Sequence, residues 1–326
     1  MRIDIYTKSE QLPILADGSV LHSALMFRAL ESGGNNKPYM LVAVADDGSE
    51  IAHLLIIKRR SIRLFPPVLS HYTVNGEGVY SAGCENREAI FAAFMERAFD
   101  VFDFRHTFVE VANIEDSRFA YSTLRGYEFI PMRDQRMYIS LHSRAPYERL
   151  TRAYRAHIRK AEAAGVTYCC ATDEHEINEG LSLLHNYYIS KTRRLPHRKA
   201  LYAMLHNDDG SLSSRAKLFV VKYKNKIIGS SYCLYDKDRA NLAYSCGLRK
   251  RYPMQYPGIM AIWAALTDAH KQGFAHFEFL EARALSRLHR GFINTLLNYG
   301  GKQVGTLRWC RFSWNWVNKI LRSIYV

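Results

Sequence analysis

A chain of 326 residues, 48% hydrophobic and 23% charged, has the length for two ordinary domains and the composition of a folded protein. No low-complexity or Pro/Ser-rich stretch marks a disordered arm. The net charge of +14 favours an anionic partner: a nucleic acid, a phosphorylated cofactor, or an anionic membrane surface in peripheral contact. Solubility and non-specific attraction are the plainer explanation of the same charge.

No apolar run approaches the ~18 residues that a membrane-spanning helix needs. The start, Met1-Arg2-Ile3-Asp4-Ile5-Tyr6, lacks the apolar centre of a signal peptide, so a cytoplasmic location is expected. Cys84, Cys169, Cys170, Cys233, Cys246 and Cys310 include no C-x-x-C or other metal spacing. The thirteen histidines form no H-E-x-x-H and no Cys/His cluster. Buried reduced thiols and no bound metal are the expectation.

In chain order, Tyr39 to Ala45 is a short apolar run, Asp46-Asp47-Gly48 a turn, and Ile51 to Lys58 a second apolar run, which together predict a β-hairpin. Arg87 to Phe102 has Ile90, Phe91, Phe94, Met95, Ala98 and Val101 on a helical stripe. A strand follows at Phe108 to Val111, then a helix around Arg118 to Leu124 stopped by Gly126. A strand from Tyr127 to Leu141 ends this half. Pro146 then opens a helix through Ala164, closed by Gly165, and Glu174 to Ser190 is another. A second hairpin comes about 180 residues after the first: Leu218 to Val221, a turn at Lys224-Asn225-Lys226, and Ile227 to Leu234. Gly258 to His270 is helical, with Ile259, Ile262, Trp263 and Leu266 on one stripe. Phe277 to Leu280 is a strand, Ala284 to Leu297 a helix stopped at Gly300-Gly301, and Gln303 to Phe312 a strand. Trp314 to Ile324 closes as a short capping helix.

Both halves therefore read hairpin, helix, strand, helix, strand. The economical expectation is an α/β (mixed α+β) protein of two related domains, 1–143 and 144–326, each a mixed twisted sheet flanked by helices.

Several segments resemble the FemAB-like transferases of the GNAT acyltransferase superfamily. Ala156-His157-Ile158-Arg159-Lys160-Ala161-Glu162-Ala163-Ala164-Gly165-Val166 is similar to their R-x-x-I-R-K-A-E-K-x-G-V segment. Tyr256 to Met260, Ala269 to Gly273 and Phe277-Glu278-Phe279 together resemble their G-x-x-L-x-W-x-x-I-x-x-A-x-x-x-G-x-x-x-F-D-F segment. Leu124-Arg125-Gly126-Tyr127-Glu128-Phe129 resembles their L-x-x-x-G-F. The resemblance covers nearly the whole chain. It implies two tandem GNAT-like domains that form an amide or ester, with acyl-CoA or acetyl-CoA, or aminoacyl-tRNA, as donor, and with a cell-envelope or glycan precursor as acceptor. Two departures stand out. The family's Phe-Lys pair before the last Phe-Gly is absent: Phe292-Ile293 and Leu296-Leu297 precede Tyr299-Gly300, which weakens the aminoacyl-tRNA mechanism. The acyl-CoA phosphate loop, Q/R-x-x-G-x-G/A, reads Arg249 to Gly258 with a single glycine.

Acyl transfer requires that the donor be held, its carbonyl polarised, and the acceptor deprotonated. Arg249, Lys250, Arg251, Gly258 and Ile259 suit phosphate binding where a strand leads into a helix start; a basic surface turn would look the same. Arg152, Arg155 and Arg159, with Lys160 beside them, share one helix face. They suit a polyanion such as tRNA or the nucleotide of CoA, or a solvated face paired with Glu148 and Glu162. For proton transfer the candidates are Glu278, which faces away from Phe277 and Phe279, Glu281 at the strand's C-terminal end, and Tyr244. A structural hydrogen bond is the alternative for each. The first half has few cations in Tyr72 to Arg87, although Gly76, Gly78 and Gly83 lie there. It is expected to be degenerate and to shape the acceptor site, with Pro66-Pro67 in its wall. A non-catalytic protein that binds through its basic face is the third reading.

Overall fold

The computed structural model describes residues 1–326 except 35, 61–69, 105–106, 113, 143, 191–197, 208, 281–289, 313 and 326. In chain order the elements of the first half are β1 (Arg2–Tyr6), α1 (Ala24–Ser32), β2 (Asn36–Val44), β3 (Glu50–Arg60), β4 (Ser70–Asn75), β5 (Val79–Tyr80), α2 (Arg87–Val101), β6 (Phe108–Ala112), α3 (Tyr121–Gly126) and β7 (Ile130–Ser140). Those of the second are α4 (Pro146–Arg149), α5 (Arg152–Ala163), β8 (Thr167–Cys170), α6 (Glu174–Ser190), α7 (Arg198–Met204), β9 (Ala216–Tyr223), β10 (Lys226–Tyr235), β11 (Arg239–Gly247), α8 (Pro257–Lys271), β12 (His276–Phe279), α9 (Arg290–Leu297), β13 (Lys302–Arg311) and α10 (Asn315–Tyr325).

Both expected hairpins form. β2 and β3 pair antiparallel, as do β9 and β10. Lys224 and Asn225 both take left-handed backbone angles, φ 49° and 59°, which gives the tight turn the twist its strands require. The helix expected from Pro146 to Ala164 is broken. Leu150 is extended, and Thr151 caps a new helix by accepting the N–H of Tyr154 at 3.4 Å. Thr is a strong helix-start residue, so the chain restarts there, and Arg152 becomes the first residue of α5. The expected helix from Ala284 is described only from Arg290. Pro66, Pro67 and the sequence cut at Ser143 lie outside the described residues.

The chain packs as two compact units, Met1–Asp134 with Gly305–Val326, and Gln135–Val304. A cut at 143 divides the chain by repeat, whereas these units divide it by packing, and the two differ because of one strand in each half. In the first unit the strand order is β1-β2-β3-β4-β6-β13. In the second it is β8-β9-β10-β11-β12-β7. The pairings match one for one. Three antiparallel ladders are followed by a parallel one, β4 with β6 and β11 with β12, and then by an antiparallel one. The sixth strand of each unit is thus supplied largely by the other half of the sequence.

The exchanged strand carries an ion pair in both units. In the second, Arg136 of β7 grips Glu278 of β12 with two bonds, Nε to Oε1 at 2.8 Å and Nη2 to Oε2 at 2.6 Å. In the first, Arg308 of β13 lies 3.3 Å from Glu110 of β6 and 3.1 Å from Asp134. The offsets agree: Glu278 is in register with Tyr138 and Glu110 with Cys310, and each arginine stands two residues before that partner. Diagonal neighbours on one sheet face lie within reach of a long side chain.

The sheets are covered on both faces, which explains the unbroken apolar runs of their central strands. In β2, Leu41 and Ala43 join the core beneath α2, with Phe91, Phe94 and Met95. Met40 and Val42 face α1 with Phe27 and Leu30. In the second unit Leu242, Phe277 and Phe279 pack with Met260, Trp263 and Leu266 of α8 and with Ile158 of α5. Each fully buried side chain of this size contributes about 1.5–3 kcal/mol.

Candidate functional site

The site begins where the described ladder between β11 and β12 ends. The parallel ladder holds Arg239 to Leu242 of β11 against His276 to Phe279 of β12. One further bond, from the N–H of Leu280 to the oxygen of Leu242 at 3.0 Å, ends it. At that point β11 has a bulge: Cys233 of β10 is in register with Leu242 and Tyr232 with Tyr244, leaving Ala243 as the extra residue. From Ala243 to Gly247 no described strand pairs with the edge of β11 that faces away from β10. At Ser245 the Tyr188 hydroxyl of α6 takes a strand's role, accepting from the N–H at 3.3 Å and donating to the carbonyl at 3.4 Å. An open strand edge offers backbone donors and acceptors to an extended ligand.

The slot leads to the start of α8. Two glycines bring the helix start against the strands. A Cβ on Gly247 would lie 2.3 Å from the nitrogen of Gly258, and one on Gly229 would lie 2.7 Å from the oxygen of Pro257. Glycine inside a strand often marks such a close backbone approach. Tyr256 precedes the helix in a left-handed conformation, φ 46°, and no side chain caps the helix there. Pro257 has no N–H, and the N–H of Met260 bonds to the oxygen of Tyr256 at 3.0 Å. The N–H groups of Gly258 and Ile259 have no recorded acceptor among the described residues, and the position of a Cβ on Gly258 is open space. Unsatisfied N–H groups and the positive end of the helix dipole attract an anion.

Two cation groups that stand far apart in the sequence converge here. Arg249, Lys250 and Arg251 are exposed on the loop before α8. From α5, the His157 ring stacks on that of Tyr256, with centroids 4.3 Å apart and planes at 18°. Burial pushes the His157 pKa down, and the positive charges of Lys160 and Arg249 push it the same way. Arg249 also acts electrostatically on Tyr154. On the same helix Arg152, Arg159 and Lys160 are exposed and Arg155 is half-buried. No ion pair to Glu148 or Glu162 is recorded for any of the four among the described residues. Tyr256 is the residue that sequence reasoning did not single out. Its αL geometry carries no composition signal, since this conformation ordinarily selects glycine or asparagine.

The acid/base candidates separate. Glu278 is buried and faces away from Phe277 and Phe279, as expected, but both of its oxygens are taken by Arg136, with Arg239 at 3.8 Å. Tyr244 is half-buried at the open edge of β11, its ring edge-on to that of Tyr188 at 5.6 Å. Glu281 lies outside the described residues.

The corresponding corner of the first unit is built differently. There β4 pairs with β6 along its full length, His71 to Asn75, and Gly76 continues the bonding to Ala112 at 2.7 Å. The start of α2 is capped by Asn86, whose side chain accepts the N–H of Ala89 at 3.2 Å. Glu77 fills the loop: its carboxylate accepts the N–H groups of Glu115 and Asp116, at 3.0 and 3.1 Å, and pairs with Arg87 at 2.9 Å.

Comparisons with known proteins agree with this architecture. A model of the acetyltransferase (GNAT) domain matches residues 149–284, which span β11, the basic loop, α8 and β12. A search of curated protein sequences finds no match. Among solved structures, FemX aligns over 99% of both chains with a TM-score of 0.66 at 10% identity. The C-terminal domain of a putative lysylphosphatidylglycerol synthetase from Agrobacterium fabrum aligns over 92% of both, with a TM-score of 0.59 at 11% identity. A tandem GNAT protein from the clavulanic acid biosynthesis pathway aligns over 96% of this chain and 99% of its own, with a TM-score of 0.53 at 9% identity. Residues 149–284 match the GNAT domain, and the chain as a whole shares its fold with FemX and the tandem GNAT protein, with a GNAT-like arrangement of sheet and helices repeated.

Proposed function

We propose that this chain is an acyltransferase that moves an acyl group from acyl-CoA, acetyl-CoA in the simplest case, to an amine or hydroxyl of a cell-envelope or glycan precursor. The observation that carries the reading is the uncapped start of α8, with Gly258 open to approach and Arg249 and Arg251 exposed on the loop that leads into it. The donor's phosphates would lie on the N–H groups of Gly258 and Ile259, neutralised by Arg249, Lys250 and Arg251. Its extended chain would follow the open edge of β11 past Tyr188. On this reading the thioester would lie near Tyr244.

The acceptor heteroatom attacks the thioester carbonyl, the carbon–sulfur bond breaks, the departing thiolate takes a proton for which Tyr244 is the proposed donor, and the proton shed by the acceptor passes through solvent to restore the Tyr244 hydroxyl. Glu278 has a structural role on this reading, holding Arg136 of β7 against β12. The same ion pair recurs in the first unit, whose corner has neither an open strand edge nor an uncapped helix, so the pair is accounted for by strand exchange. On this reading the first unit binds no donor. The acceptor class rests on the resemblance to the FemAB-like transferases.

Calorimetry with CoA and acetyl-CoA tests the reading. The expected result is saturable binding that weakens at least tenfold in R249A/R251A. No binding by the wild type, or unchanged binding in that variant, overturns it.

One observation favours a second reading, transfer from aminoacyl-tRNA: Arg152, Arg159 and Lys160 form an exposed stripe without a described acidic partner. Binding of aminoacylated tRNA that falls steeply with salt, with CoA silent, would select it.

A further inference from the structure

We propose that α10 docks this protein on the surface of an anionic lipid bilayer. The helix is held to its own unit by one face. Asn318 is buried, its side chain accepting the N–H of Phe312 at 3.0 Å and donating to the carbonyl of the same residue at 2.8 Å. Phe312 in turn packs on Phe108, with ring centroids 4.9 Å apart.

Exposed apolar side chains stand at the start of the helix and on its side away from Asn318. Trp314, Trp316 and Ile320 are 54%, 62% and 51% exposed. Trp316 and Ile320 are four residues apart, hence neighbours on one helix face. The two indoles stack, with centroids 6.1 Å apart and planes at 11°. The other two tryptophans, Trp263 and Trp309, are core residues, so exposure here is a property of this face and not of tryptophan in this chain.

Charge selects the occupant. Lys319 is exposed on the same helix. The sequence of this helix, Asn315 to Tyr325, also holds Arg322 and no Asp or Glu. A helix with tryptophan and aliphatic side chains beside cations has the chemistry of the bilayer interface, where indoles settle at headgroup depth and the cations meet anionic lipid. A second copy of the chain would bring the same cations face to face. A nucleic acid would take the cations and leave Ile320 in water, since an aliphatic chain offers no stacking face.

The test uses vesicles of phosphatidylglycerol mixed with phosphatidylcholine, against vesicles of phosphatidylcholine alone. The wild type should sediment with the anionic vesicles, with a blue shift of tryptophan emission, and stay in solution with the neutral ones. W314A/W316A should bind at least tenfold more weakly, with its melting temperature unchanged because both rings are exposed. K319E should bind several-fold more weakly. The proposal falls if the wild type ignores anionic vesicles or if W314A/W316A binds them equally well. It also falls if light scattering finds a dimer that the double variant dissolves, or if the double variant loses tRNA binding with vesicle binding intact.

Discussion

The two units share a strand order and part ways at one corner. In the first, the parallel strand pair runs to its end, Asn86 caps the helix that follows, and Glu77 sits on the backbone N–H groups of Glu115 and Asp116. In the second, no described strand pairs with β11 beyond Leu242 on the side away from β10, the helix has no cap, and exposed cations stand where the first unit has a carboxylate. One fold thus gives a closed corner and an open one through a handful of residues. The difference teaches where to look for chemistry: backbone groups satisfied internally in one copy and unsatisfied in the other.

The largest effect expected from breaking this comparison lies in the shared ion pair. Removing Glu278 leaves Arg136 without its bidentate partner, so E278A should destabilise the second unit by about 3 kcal/mol in denaturant unfolding. E110A should cost roughly 1 kcal/mol, because Arg308 keeps Asp134. If Glu278 were instead the catalytic base, E278Q would lose turnover with stability intact; a structural ion pair predicts the reverse.

G247A should come next. Its Cβ would meet the backbone of Gly258, and overpacking of this kind costs about 1–3 kcal/mol. The helix start would shift, and CoA binding should be lost along with the added stability cost. G126A, where a Cβ meets nothing within 4 Å, is the control and should leave CoA binding unchanged.

Acid should separate the units as well. His22 is buried in the first unit and accepts the N–H of Leu55 at 2.9 Å. Burial, then the neighbouring His53, lower its pKa to about 3 from 6.5. The unfolded chain takes up this proton below pH 6.5 and the folded chain does not until about pH 3. The contribution to stability is therefore complete above pH 6.5 and is lost as the pH falls through that window, with a slope approaching about 1.4 kcal/mol per pH unit. H22N, which can keep the acceptor for Leu55, should flatten the acid slope of thermal unfolding. An unchanged slope would contradict the prediction.

The smallest effect is expected at Glu77. E77Q weakens the bonds to the Glu115 and Asp116 N–H groups and the pair with Arg87, and should cost about 1 kcal/mol. It should leave CoA affinity untouched, because the proposed donor site lies at the other corner.

The hairpins and most helices were legible in the sequence because apolar periodicity reports which face of an element is buried. The strand exchange was not, because a strand's pattern specifies its two faces and says nothing of its neighbour. The break at Leu150 had a signal in Thr151, masked by an apolar stripe that runs on through Tyr154 and Ile158. The basic loop was visible as Arg249 to Gly258, and so was the arginine stripe of α5. Their convergence through the His157–Tyr256 stack was hidden, since nothing in local sequence brings residues that far apart together. Glu278 was readable as a buried carboxylate, but its partner Arg136 lies in the other half of the chain.

The most direct test of an open second corner and a closed first one is the stoichiometry of donor binding. Titration of the full chain with CoA should give one site per chain, abolished or weakened at least tenfold by R249A/R251A and unaffected by E77Q. Two sites per chain, or a single site that E77Q moves and R249A/R251A does not, would contradict the account.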